Sequence, residues 1–200
     1  MSNSLRLKLK TEVKSKDGPI IFFIDIDGTL TDGTHRERIM EEQGFVIGPY
    51  GDPDRQYPKG KQAFLEAFAE PSLFCDDKTM VNAVEFLKSI AGKGALQVKV
   101  FFITARDSLH HAQTEQDLRK RGLWVSGARL VCKPHNQAPK TVKYKVSTMV
   151  NIIAALQPIT IVIVDNSQEI LDGGKYAIPS SHRFTNCTDA LNWWKGYAQY

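Results

Sequence analysis

Three short, strongly apolar runs organise this 200-residue chain: Ile20-Ile21-Phe22-Phe23-Ile24, Val98-Lys99-Val100-Phe101-Phe102-Ile103 and Ile159-Thr160-Ile161-Val162-Ile163-Val164. Runs of this length beside turn residues read as strands buried on both faces. Between them the period changes. Over Thr79–Ala91, apolar residues at 80, 83, 84, 87, 90 and 91 have helical spacing, and Gly92 can end the helix. A second helix, capped by Asp107 or Ser108, runs to Gly122. A third spans about Val142 to Leu156 and stops near Pro158. Trp124-Val125 and Arg129–Cys132 read as short extended pieces, and Trp193 and Trp194 as packing residues of an amphipathic tail. Strands alternating with helices imply βαβ units, hence an α/β chain with a parallel sheet.

Two segments break this rhythm. Residues 1–19 include the alternating Leu5-Arg6-Leu7-Lys8-Leu9-Lys10, which suits a lysine-guarded edge strand or a basic tail. Residues 33–77 are rich in Gly and Pro and contain one helical stretch, Lys61–Phe68, with Phe64, Leu65 and Phe68 on one face. This segment reads as an insertion over the strand ends, a small cap or lid, with a surface excursion as the alternative.

Bulk properties set limits. The length suits one domain with a full core, and a net charge of +4 permits an anionic substrate without requiring nucleic acid. The three cysteines, Cys75, Cys132 and Cys187, lack zinc-site spacing and a disulfide pattern, which fits a reducing, cytoplasmic setting. No apolar run approaches the ~20 residues of a membrane helix, and there is no signal-peptide pattern or P-loop. No membrane association or obligate protein partner is expected.

The chemistry lies where the apolar runs end. Asp25 and Asp27 follow the first, Thr104 and Arg106 the second, and Asp165 and Asn166 the third. In a parallel sheet these ends converge on one edge, where α/β folds bind ligands. Two carboxylates this close need a cation or a shared proton. Mg²⁺ suits such hard oxygen ligands. One carboxylate can attack phosphorus, and the other can move the proton of the leaving oxygen or of water. Arg106 has the planar fork for phosphate oxygens.

Asp25-Ile26-Asp27-Gly28-Thr29-Leu30 resembles the first motif of the haloacid-dehalogenase (HAD) superfamily of phosphotransferases. The resemblance implies a three-layer, Rossmann-like core over residues 20–200, Mg²⁺ as cofactor, Asp25 as nucleophile and Asp27 as general acid/base. Thr104 matches the superfamily's second motif, and the motif loops add Gly28, Thr29 and Ala105 to the substrate-binding set. Of Lys140, Lys143 and Lys145, the last best matches the motif lysine, with Lys143 as runner-up. Asp165 matches the metal-binding acid, sharing the ion with Asp25 and the Asp27 carbonyl. Asn166 stands where many relatives have a second Asp, and Glu169 is a weaker substitute.

A closer likeness covers most of residues 20–172. Arg36, Thr104-x-Arg106, Lys133 and Lys145 look like the 3′-phosphatase domain of phage polynucleotide kinase-phosphatases and related small phosphatases from phage or bacteria. It implies a phosphorylated nucleotide or nucleic-acid end as substrate, held by Arg36, Arg106 and Lys133. Small sugar-acid phosphatases share part of the first motif, so a sugar phosphate is an alternative. A catalytically weak phosphate- or nucleic-acid-binding protein is another. No Asp or Glu occurs between Asp117 and Asp165, while Arg119, Lys120, Arg121, Arg129, Lys133, Lys140, Lys143 and Lys145 do. Such a stretch attracts polyanions or is merely a solvated face. Tyr50, Tyr57 and Trp124 are the candidate base-stacking residues.

Overall fold

The computed structural model describes residues 18–49, 52–91, 97–135 and 140–199. The alternation read along residues 5–10, Tyr50 and the Gly92 stop lie outside them. Five parallel strands form the central sheet: β1 (Ile20–Ile24), β4 (Val98–Asp107), β5 (Arg129–Lys133), β6 (Thr160–Val164) and β7 (His182–Phe184). Their order is β5-β4-β1-β6-β7, so β1 lies at the centre with the other two apolar runs on either side. Two short strands, β2 (Thr31–Asp32) and β3 (Lys78–Thr79), pair antiparallel apart from the sheet.

Strand alternation divides the interior into two cores. Ile20, Phe22 and Ile24 of β1, with Val100, Phe102, Val162 and Val164, face α3 (Ala83–Ala91), α4 (His111–Lys120) and α7 (Cys187–Tyr197) through Phe86, Leu118 and Trp194. Ile21 and Phe23, with Phe101, Ile103, Ile161 and Ile163, face α5 (Thr141–Leu156) and α6 (Gln168–Ala177) through Tyr144, Met149, Ile170 and Leu171. The sheet is therefore the middle of three layers. Trp194 is fully buried against Phe22, as a packing residue should be.

Several boundaries differ from the sequence reading. β4 continues through Thr104 and Arg106 to Asp107, with an irregularity against β5 that keeps the extension paired. Asp107 caps a 3₁₀ turn, Ser108–His110, that precedes α4. α3 starts at Ala83 because Lys78–Thr79 pair with β2 and Asn82 takes a left-handed conformation. Trp124-Val125 is loop, its aromatic ring packed on Phe102.

Residues 33–77 hold α1 (Thr34–Glu42), α2 (Lys61–Phe68) and a 3₁₀ helix, Pro71–Asp76. Met40, Val46 and Phe64 form a small core there, separate from the two main ones. The α2 boundaries match the sequence pattern, but Leu65 is exposed: Phe64 already fills the space against Tyr57 and Phe68.

Candidate active site

The parity that sorts the cores also places the first charges. Asp25 and Asp165 continue the series of Ile21, Phe23, Ile161 and Ile163, so both turn toward the α5 side just beyond adjacent strand ends. α5 brings Lys145 between them, with its Nζ 2.7 Å from Asp25 Oδ1 and 2.7 Å from Asp165 Oδ2. All three side chains are buried. Burial lowers the lysine's pKa, but Asp25 and Asp165 outweigh it and raise it. Asp25 is pushed up to about 7: burial acts first, Lys145 opposes it, and Asp165 and Asp27 add to it. Lys140 and Lys143, the other candidates, are exposed.

Asp27 lies in a second cluster. Arg106 grips it bidentately, Nε to Oδ2 at 3.0 Å and Nη2 to Oδ1 at 2.8 Å, and Arg36 Nη2 donates to Oδ1 at 2.6 Å. Burial alone would raise the Asp27 pKa, but the two guanidiniums hold it well below the usual carboxylate range. Both arginines are almost completely buried, so they are committed to this cluster rather than displayed to solvent. Behind them stands Asp77, a fully buried carboxylate absent from the sequence reading. Its Oδ2 accepts from Arg36 Nη2 at 3.0 Å and Arg106 Nη2 at 3.3 Å. Its Oδ1 lies 2.9 Å from Arg36 Nε, without hydrogen-bond geometry. Phe74 packs under both guanidiniums and Phe68 under that of Arg36. Gly33 makes room for this: a Cβ there would stand 2.5 Å from Arg36 Nη2.

The remaining candidates line the same edge less directly. Thr104 is buried, and its Oγ1 accepts from the Arg106 N–H. Gly28 has φ +81°, and a Cβ on it would meet Asn166 Nδ2 at 2.2 Å. Thr29 is buried, its Oγ1 accepting from the Asn166 N–H at 3.0 Å. Asn166 thus ties the β6 end to the Asp25–Thr29 loop, with its side chain beside Gly28. Ala105 is exposed on β4, and Glu169 is exposed on α6. Lys133 ends β5, paired with Asp107 and one strand further from β1.

The donor set fits Mg²⁺. Asp25 and Asp165 put two buried carboxylates against the single ammonium of Lys145 at adjacent strand ends, a set of hard oxygen donors that a divalent cation can share. Among the described residues no three His, Cys, Asp or Glu side chains gather to hold a metal. Mg²⁺ does not need them, since it takes one or two carboxylates and keeps water or phosphate in its other positions.

The basic stretch is less available than its composition suggests. Arg119 pairs with Glu115 and stacks over Trp124, Arg121 is bound to Asp117 and to backbone carbonyls, and Lys145 is buried. Lys120, Arg129, Lys140 and Lys143 are exposed. Tyr57 packs against Phe64 and Trp124 against Phe102, so both rings serve packing.

The fold, a central parallel sheet between two layers of helices, is shared by solved structures. One is the Pnkp1/Rnl/Hen1 RNA repair complex (TM-score 0.58, 16% identity, 90% of this chain and 46% of that one). Another is the HAD hydrolase YfnB from Bacillus subtilis, bound to magnesium (TM-score 0.57, 11% identity, 89% and 99%). A third is a hydrolase from Streptococcus pneumoniae TIGR4 (TM-score 0.52, 13% identity, 84% and 92%). The chain spans about half the length of the RNA-repair chain it matches. No curated protein matches it. The family model for HAD superfamily, subfamily IIIB (acid phosphatase) matches residues 3–190, and the chain belongs to that family. It is a HAD-type phosphatase.

Proposed function

We propose that the protein is a Mg²⁺-dependent phosphomonoesterase that works through an aspartyl-phosphate on Asp25, with a nucleotide or nucleic-acid 3′-phosphate end as substrate. The observation that carries the mechanism is the placement of Lys145 Nζ at 2.7 Å from both Asp25 and Asp165 at adjacent strand ends. Asp25 attacks phosphorus, the bond to the leaving oxygen breaks, and Asp27 supplies that oxygen's proton. Water then attacks the aspartyl-phosphate, giving its proton to Asp27 and releasing inorganic phosphate. Lys145 and Thr104 stabilise the charge on the transferring group. Mg²⁺, held by Asp25, Asp165 and the Asp27 carbonyl, with Asn166 beside it, would supply charge neutralisation at the phosphoryl oxygens.

The arginines qualify this scheme. Arg36 and Arg106 were candidate phosphate ligands, but their buried pairing with Asp27 and Asp77 supports action through Asp27 instead. Their hold favours the ionised carboxylate, which suits the water step; proton donation in the first step requires that hold to relax as substrate enters. Residues 33–77, which deliver Arg36 and Asp77, serve in this reading as a small cap. With both arginines committed to Asp27 and Asp77, the nucleic-acid assignment rests on Lys133 at the end of β5 and on the exposed Lys120, Arg129, Lys140 and Lys143.

The test is phosphate release with Mg²⁺ from an oligonucleotide 3′-phosphate, its 5′-phosphate isomer, mononucleotides and sugar phosphates, with Asp25→Asn as the blank. Preference for the 3′-phosphorylated oligonucleotide supports the substrate assignment. Preference for sugar phosphates removes it but keeps the mechanism. Normal turnover by Asp25→Asn overturns the mechanism.

A further inference from the structure

α4 carries none of the proposed reacting groups, yet the residue that ends it reaches the support of the arginine pair. Arg121, the C-cap of α4, is largely buried. Its Nε donates to Asp117 Oδ1 at 2.8 Å, and its Nη2 donates to the carbonyls of Phe74 at 2.6 Å and Cys75 at 2.9 Å. Its Nη1 donates to the carbonyl of Asp77. One guanidinium therefore holds the end of the Pro71–Asp76 3₁₀ helix and the backbone of the residue after it.

The last carbonyls of a short 3₁₀ helix have no further turn to pair with; that of Phe74 also accepts from the Asp77 N–H at 3.2 Å, and Arg121 supplies side-chain donors to the end of the helix. A fork of five N–H donors can satisfy three carbonyls and a carboxylate together, whereas an ammonium cannot match that geometry. Asp77, the residue so fixed, is the carboxylate that braces Arg36 and Arg106 against Asp27. A continuous set of contacts thus runs from α4 through Arg121, the Asp77 backbone, the Asp77 carboxylate and the two arginines to Asp27.

We propose that Arg121 is a positioning residue of the phosphatase site, a clasp that sets the Asp77 backbone and through it the aim of Asp27. This rests on the reading of Asp27 as the proton-transfer group. A merely structural Arg121 would also keep 71–77 in place, so the readouts must separate stability from aim.

Arg121→Lys keeps the charge and loses the fork; Arg121→Ala opens a space that free guanidinium can fill. Both are compared with wild type, with Asp25→Asn as the blank and Lys195→Gln, which breaks an exposed pair with Glu85, as the control. The expected result is a kcat for Arg121→Lys lowered by about 10- to 100-fold per folded molecule, with KM little changed, as for displacement of groups away from the chemistry. Millimolar guanidinium chloride should restore part of the Arg121→Ala activity, and amides of 72–79 should exchange faster in both variants. If Arg121→Ala does not fold, Arg121→Gln takes its place. A wild-type kcat in Arg121→Lys, or a loss matched entirely by the unfolded fraction, overturns the proposal. If wild type releases no phosphate from any ester, the proposed reaction falls instead. Unchanged exchange at 72–79 in the variants overturns the clasp by itself.

Discussion

Asp25 and Asp27 are separated by one residue, yet their surroundings drive them in opposite directions. Asp25 shares one lysine with Asp165, and burial keeps its pKa high; Asp27 receives three hydrogen bonds from two guanidiniums and is held low. Environments that split a pair of acids are a usual way to assign different tasks to them. The buried thiols show burial as the leading cause, unaided at Cys187 and at Cys132 opposed by Arg106 and aided by Asp107. Burial pushes Cys132 up to about 11 and Cys187 up to about 12 from an ordinary 9.0, while Cys75 is exposed. The neutral thiol is the form burial favours. Because both folded pKa values are raised, this stabilisation is complete below about pH 9 and is lost as pH rises through 11 to 12. At pH 8, iodoacetamide should therefore label only Cys75 in the native protein and all three cysteines in urea, counted by intact mass. Native labelling of two or three would contradict the buried placement of Cys132 and Cys187. The aspartates were legible in the sequence because each closes an apolar run, where a charge has no structural reason to be. Asp77 carried no such mark. It follows Asp76 in an irregular segment, and what defines it is the arrival of two arginines distant in sequence. Arg121 was hidden differently, since a basic stretch does not show which of its members turns inward.

At the level of elements, α5 is the piece whose register matters most for the site. It packs Tyr144 and Met149 into the core on its side of the sheet, which leaves Lys145 directed at the strand ends. The helix was readable from periodicity; position before the last apolar run left Lys140, Lys143 and Lys145 open, and only the motif resemblance singled out Lys145. α1 was not: nine residues with only Arg36 and Met40 buried give almost no apolar stripe. Its burial is that of a charged side chain neutralised by Asp27 and Asp77, which hydrophobic patterning cannot register. α5 also carries a cost. Lys145→Ala would leave Asp25 and Asp165 as neighbouring buried carboxylates without their cation. Breaking a buried pair this way typically costs about 3–5 kcal/mol. Urea unfolding in the presence of a chelator should show a loss of that order, and added MgCl₂ should recover part of it by returning positive charge to the pocket. A loss of under about 1 kcal/mol would mean that the two carboxylates are far better solvated than their burial indicates.

At the scale of the whole molecule, the question is whether the charge that favours a polyanion lies where a polyanion can use it. Part of the apparent basic stretch is already paired: Arg119 with Glu115 at the surface, Arg121 with Asp117 and carbonyls, and the buried Lys145 with Asp25 and Asp165. Lys120, Arg129, Lys140 and Lys143 remain exposed, and Lys140 and Lys143 lie at the N-terminus of the same helix that carries Lys145. A bound single strand would release counterions at each such contact, so log affinity should fall linearly with log salt, by about 0.7 per phosphate neutralised. In the Asp25→Asn background, which binds without turnover, Lys140→Gln with Lys143→Gln should make that slope shallower by roughly 1.4 if both contact the strand. Arg119→Gln should change it little, because its charge is already matched by Glu115. Fluorescence anisotropy of a 3′-phosphorylated oligonucleotide across a salt series would measure all three. An unchanged slope in the double variant would make the exposed lysines an ordinary solvated face, and the preference for a nucleic-acid end would then have to come from the cap segment and the pocket floor alone.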